Sequence, residues 1–201
     1  YGSGKFSDPI EISSIINNYF KNLDENKKFK ALVTAGPTRE YIDPVRFISN
    51  RSSGKQGYAI AEVLQKNGFN TTLISGPTNM KPPDGVKIIN INSANEMYEK
   101  TLENLPVDVA IFAAAVADFK FKNIKQNKIK KDNFENLEIE KNKDILNYTS
   151  KHNSLRPKLV IGFAAETNNL EENSRKKLNE KNCDWIIAND VSDKNIGFDS
   201  E

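Results

Sequence analysis

Three observations predict an α/β fold built on a mostly parallel sheet. Short apolar runs of strand length alternate with stretches of helical spacing along most of the chain. Each run is rich in Val, Ile, Leu or Phe, as suits strands covered on both faces. Helix start and stop signals fall between the runs. At 201 residues the chain is long enough for one large domain with a buried core.

The first element is an amphipathic helix. Asp8 is placed to cap it, Pro9 takes its first position, and Ile12, Ile15, Ile16, Tyr19 and Phe20 recur at helical spacing. Such a helix needs a surface to pack on. Residues 21–29 read as a charged linker, which separates residues 1–29 from a domain at 30–201. In that domain strands are expected at Ala31–Thr34, Thr71–Ser75, Val86–Ile91, Val107–Ala113, Lys158–Phe163 and Asp184–Ala188. A helix over Gly57–Asn67 puts Ile60, Val63 and Leu64 on one face and stops at Gly68. Ser93 and Glu96 form a capping box for a helix to about Leu105, before Pro106. Leu170 to about Lys181 supplies another. Between Phe119 and Lys143 the rhythm breaks into a lysine-rich stretch with alternation at KIK and LEIE. This excursion exceeds an ordinary connection, which points to a flap, a dimerisation arm or both. No internal repeat is found. The chain ends at Phe198-Asp199-Ser200-Glu201 without a helix to cover the last strand, so a further element is expected beyond it.

Composition excludes several classes of function. Twenty-nine basic against 27 acidic residues leave a net charge of +2, too balanced to indicate a nucleic-acid or membrane partner. One cysteine, Cys183, excludes an internal disulfide and a thiolate metal cluster, and one histidine, His152, excludes the usual zinc constellations. No apolar run approaches the roughly 18 residues of a membrane span. The leading YGSGKFSDP lacks an apolar signal core. A reducing cytoplasm fits these features best.

In a doubly wound sheet, ligands bind beyond the carboxyl ends of the strands, near the point where strand order reverses. After the first strand come Gly36 and a long loop ending in Ser52, Ser53, Gly54 and Lys55, ahead of the first helix of the domain. Helix N-terminal amides beside these side chains can cradle a phosphate, although a Ser-capped helix start explains the same residues. A Walker A loop does not fit, because Gln56 follows Lys55. A dinucleotide fingerprint does not fit either, because the second strand ends in Ser75-Gly76-Pro77 without an acid. The fourth strand runs into AAAVADF, with Asp118 at its carboxyl end as a ribose or metal ligand, or as a surface acid. The fifth ends in GFAAETNN, where Phe163 is either a wall of a base pocket or core. Lys177 and Lys181 share a helix face and suit phosphate or solvent. Lys128 and Lys130 share one side of an extended segment and could close over a phosphate, as lids do, or remain a solvated charge run.

The segments TAGPTREYIDPVRFISNRSSGKQGYAIA, TLISGPT, AAAVADF, KIKK, GFAAETNN and IIANDVS together resemble phosphopantothenoylcysteine synthetase, the ligase half of a bacterial bifunctional decarboxylase/synthetase. The match runs from about Ala31 to Phe198. The leading GSGKFSDPIEI resembles the junction after a decarboxylase domain, to which flavin mononucleotide would be confined. The resemblance implies a three-layer α/β/α, Rossmann-like fold that dimerises through an arm, with a higher oligomer in the bifunctional chain. It implies CTP as nucleotide substrate with Mg2+, and 4′-phosphopantothenate and cysteine as the other substrates. Asn50 matches the asparagine associated with an acyl-cytidylate, and Lys128 the flap lysine of the second half-reaction and a nucleotide contact. Phe112, Ala113 and Ala114 match the base pocket, Asp118 the ribose or triphosphate side, Phe163 a wall, and Lys177 and Lys181 the polar end. Asp144, Ile145 and Leu146 match an Asn-Pro-Asp-Ile-Leu segment in which Lys143 stands in place of the proline. The metal ligands are unknown. A nicotinamide-dependent reductase and a catalytically silent nucleotide-binding module are the competing readings.

Overall fold

Side-chain alternation along the apolar runs sorts residues to the two faces of one sheet. The computed structural model describes residues 8–23, 27–130 and 137–192. In it β1 (Lys30–Ala35), β4 (Asn70–Ser75), β5 (Lys87–Asn90), β6 (Val109–Phe112), β9 (Leu159–Glu166) and β10 (Trp185–Asp190), numbered in chain order, form a six-stranded sheet. Their order is β10-β9-β6-β1-β4-β5, every neighbouring pair is parallel, and the direction of winding reverses between β1 and β6. All six expected strands are present and the parallel α/β class stands.

Ala31, Val33 and Ala35 face one core with Leu73, Val109, Ile111, Leu159 and Ile161. Leu32 faces the other with Ile74, Ala110, Phe112 and Val160. The first face is covered by α1 (Pro9–Lys21) and α2 (Lys55–Lys66), the second by α3 (Ala94–Glu103), α4 (Ile145–Ser150) and α5 (Leu170–Lys181). Helix α2 begins two residues before the expected Gly57. Its cap is Gly54, not a serine.

Helix α1 does not stand apart from the sheet. Its Ile12, Ile16 and Phe20 are buried in the first core, and Tyr19 meets Trp185 of β10 edge-on at 5.8 Å between ring centroids. Phe29, from the segment read as a linker, is buried against Phe20 at 4.7 Å. Helix and linker thus supply cover that α2 alone does not give.

Two small antiparallel pairs stand outside the sheet, and neither was expected in full. β2 (Arg39–Tyr41) pairs with β3 (Phe47–Ser49) in the loop after β1. β7 (Phe119–Phe121) pairs with β8 (Ile139–Lys141) and closes the base of the lysine-rich excursion. The alternation at LEIE thus becomes β8, whereas Lys128–Lys130 form no strand. Asp118 precedes β7, six residues after β6 ends at Phe112, and is not at the carboxyl end of that strand. The segment GSGKFS, the last lysine of KIKK and the chain end lie outside the described residues.

Phe20 is 1% exposed among Phe29, Phe69 and Tyr19. Phe20→Ala should cost about 3–5 kcal/mol, the range for emptying an aromatic core position. Urea unfolding measures it; a loss under about 1 kcal/mol would mean that α1 is not part of the core.

Candidate active site

The site begins where the chain leaves β1. Gly36 and Gly54 both have positive φ, and a Cβ on either would lie 2.8 Å from Cγ2 of Thr78. A Cβ on Gly76 would lie 1.7 Å from the carbonyl oxygen of Pro37. The loops after β1 and β4 are therefore pressed together, and close packing by protein requires the glycines expected at a phosphate. Ser52 and Ser53 turn back on their own loop: their Oγ atoms accept from the amides of Gly54 (3.3 Å) and Lys55 (3.4 Å). Lys55 is exposed.

The β2–β3 hairpin is sewn to the loop after β6. Thr38 Oγ1 accepts from the Ala117 amide at 2.9 Å, and Ser49 Oγ donates to the Thr38 carbonyl at 2.8 Å. Asn50, directly after β3, donates from Nδ2 to the Val116 carbonyl at 3.0 Å. Its amide nitrogen therefore faces protein carbonyls, and donating to a substrate would require exchanging that partner.

Beyond the carboxyl ends of β6 and β9 lies a cleft of about 1150 Å³. Thr34, Phe112 and Ala114 line it from the sheet, with Phe163 and Glu166 from β9. Asp118 and β8 border it on the excursion side, residues 142–146 on another, and Lys177 and Lys181 of α5 complete it. Phe112, Ala114, Asp118, Lys143, Asp144, Ile145, Leu146, Phe163, Lys177 and Lys181 are thus brought to one place. Ala113 does not line the cleft: its amide continues the sheet by donating to the Thr34 carbonyl at 3.2 Å. Gly36, Asn50, Ser52, Ser53, Gly54 and Lys55 also lie outside its lining.

Helix α4, absent from the sequence reading, explains the segment at 142–146. Asp144 caps it, one carboxylate oxygen accepting from the Asn147 amide at 2.8 Å. The other oxygen accepts from Lys181 Nζ at 2.6 Å and holds that ammonium above its ordinary pKa. Lys177 Nζ donates to the Phe163 carbonyl at 2.7 Å. Lys143 lies with Nζ 4.3 Å from the centre of the Tyr98 ring, a cation–π contact that turns the side chain toward α3. Glu166 and Asn173, joined at 3.0 Å, also line the cleft. Sequence reasoning passed over them, although Glu166 lies within GFAAETNN.

Lys128 lies elsewhere, in a second hollow of about 620 Å³ formed by the excursion itself. The neighbouring Ile129 is held by the β2–β3 loop: its amide donates to Asp43 Oδ2 at 3.1 Å, and its carbonyl accepts from Arg46 Nη2 at 3.1 Å. Asp43 is fully buried. It also accepts from Arg46 Nε at 3.0 Å and from the amides of Val45 and Arg46, each at 2.9 Å. The Arg46 guanidinium holds its carboxyl well below the usual carboxylate range, with the backbone amides acting in the same sense.

Among the described residues no three carboxylate, imidazole or thiol groups converge to hold a metal ion. The described side chains alone therefore do not assemble a three-ligand divalent site. No helix among them is long and apolar enough to cross a membrane.

Residues 26–201 match the family described as DNA/pantothenate metabolism flavoprotein C-terminal domain. The chain is 44% identical over 193 residues to the coenzyme A biosynthesis bifunctional protein CoaBC of Haemophilus influenzae, covering 95% of this chain and 48% of that protein. It thus spans about half the length of the curated relatives it matches. Among solved structures it is similar to the C-terminal domain of a CoaBC protein, with 45% identity, TM-score 0.68, and coverage of 80% of this chain and 76% of that one. It is also similar to the DNA/pantothenate metabolism flavoprotein from Streptococcus pneumoniae, with 29% identity, TM-score 0.70, and coverage of 82% and 83%.

Because Asp43 has a depressed carboxyl pKa in the folded chain, its contribution to stability is present above the unfolded value of about 4 and is lost as pH falls below it. Asp43→Asn should lower the urea midpoint at neutral pH, and the gap to wild type should shrink as pH drops from about 5 toward 3. A gap constant over that range would show that the carboxylate charge contributes nothing.

Proposed function

The chain belongs to the DNA/pantothenate metabolism flavoprotein C-terminal domain family, and from that premise we propose that it is a CTP-dependent phosphopantothenate–cysteine ligase of coenzyme A biosynthesis. One observation carries the reading: separate segments that the resemblance assigns to a nucleotide line a single cleft at the carboxyl edge of the sheet. That edge is where open α/β sheets bind ligands.

A carboxylate is a poor electrophile, so amide formation needs an activated acyl group. In this reading the carboxylate oxygen of 4′-phosphopantothenate attacks the α-phosphorus of CTP and pyrophosphate leaves. The cysteine amine then attacks the acyl carbon of the acyl-cytidylate, loses a proton, and CMP departs. Phe112, Ala114 and Phe163 bed the base, and the amides and carbonyls of residues 143–146 border it. Lys177 and Lys181 exchange the Phe163 carbonyl and the Asp144 carboxylate for phosphate oxygens, which charged donors bind strongly. Asp118 takes the ribose side. Asn50 sits on the hairpin bonded to the loop after β6 and supplies a polar group to the acyl phosphate. Lys128 arrives from the excursion for the second step. Magnesium enters as part of the nucleotide substrate, carried by its phosphates. A homodimer and a cytoplasmic setting complete the proposal.

A nicotinamide-dependent reductase would share this strand order, but it needs a glycine-rich turn leading straight from the first strand into a helix. Here β1 leads into the β2–β3 hairpin instead.

Incubation with CTP, Mg2+, 4′-phosphopantothenate and cysteine should release pyrophosphate and CMP in equal amounts with the amide. Absence of both products would sink the ligase reading. Asn50→Ala should slow acyl-cytidylate formation by about 100-fold, the scale of losing one oriented donor. Lys128→Gln should still release pyrophosphate but stall before the amide, as quenched single turnovers would reveal. Lys181→Met should raise the KM for CTP by about tenfold or more, the worth of a charged hydrogen bond.

A further inference from the structure

Nothing in the proposed chemistry uses the pair of buried Asp43 and half-buried Arg46, yet Asp43, on the hairpin that carries Asn50, accepts hydrogen bonds from the Arg46 side chain and from three backbone amides. The pair grips Ile129 at both ends of its backbone: the amide through Asp43 and the carbonyl through Arg46. A second bond fixes the same segment, from the Lys125 amide to the Ile42 carbonyl at 3.0 Å. Ile129 is the residue next to Lys128, so holding its peptide fixes the root of the Lys128 side chain while leaving the ammonium exposed.

The hairpin has two working ends. Its turn carries Asp43 and Arg46; strand β3 then spans only Phe47–Ser49, about 10 Å at 3.3 Å per residue, before Asn50. Asn50 is tied to the loop after β6 and Asp43 to the excursion, so one short rigid element links both residues to which the two half-reactions are assigned. We infer that Asp43 is a positioning residue for the second half-reaction, setting Lys128 in register with the site at Asn50 by clamping the Ile129 backbone with Arg46. The inference rests on the ligase reading for the role of Lys128, while the clamp itself does not.

Asp43→Asn keeps the shape of the side chain but loses the charge that pairs with Arg46. In the full chain under single-turnover conditions it should release pyrophosphate within about twofold of wild type and form the amide at least tenfold more slowly. Combined with Lys128→Gln it should add little further loss, since the two act through one group. Amide hydrogen exchange should accelerate at Ile129 by more than it does at the amides of α2 through the lower global stability; Arg46→Lys, which keeps the charge but loses the fork, should do the same. Exchange at Ile129 raised no more than in α2 would overturn the clamp. Normal amide formation, an equal loss in both steps, or a fully additive double variant would overturn the positioning role. If wild type releases no pyrophosphate from CTP, the ligase reading and the assigned role fall together, and the exchange measurement still decides whether the clamp exists.

Discussion

Every feature of the site depends on how the chain leaves β1. That strand is bonded to β4 on one side and β6 on the other, so loops diverging from its neighbours open a crevice at its carboxyl end. The loop after β1 must fit between the other two without filling the crevice. Gly36 and Gly54 let the loop after β1 pass within contact distance of Thr78 on the β4 side, and Gly76 on that side lets Pro37 of the same loop approach. Thr38 and Asn50 then bind the β6 side through the Ala117 amide and Val116 carbonyl. The space that remains is displaced toward β6, β9 and α5, where the cleft lies.

Much of this was legible in the sequence. Six apolar runs gave the strands because a sheet covered on both faces leaves a strong, local signal. Helix α5 starts at the expected Leu170 and ends at Lys181, about where expected. The failures have physical causes. Strands of three residues, such as β2 and β7, are too short to show a period, and their pairing is set by contacts elsewhere. Helix α4 is a six-residue turn whose anchor is the Asp144 cap and its ion pair with Lys181, a contact across 37 positions of sequence. The site residues divide in the same way. Phe112, Ala114 and Phe163, on or just after strands, and Lys177 and Lys181 of α5 line one cleft, whereas Ala113 does not. The loop glycines proved to answer a packing demand that no single-chain pattern reveals.

Charge in the cleft is balanced before any ligand arrives. Lys181 rests on Asp144, Lys177 on a main-chain carbonyl, and Lys143 over the Tyr98 ring. Clustered ammonium groups would otherwise repel one another, and each partner lowers that cost without making a permanent, fully buried pair. Lys143, standing where the resembling segment has proline, keeps its backbone amide and sends its cation toward α3. The cap of α4 forms regardless, since Asp144 and not the preceding residue anchors it.

The packing of α1 across the far side of the sheet carries one practical corollary. Trp185 is the sole tryptophan of the sequence, and it meets Tyr19 of that helix edge-on while lying in β10 at the sheet border. Its indole is therefore a built-in optical gauge: the emission of this one fluorophore registers whether the amino-terminal helix is seated, without any attached dye.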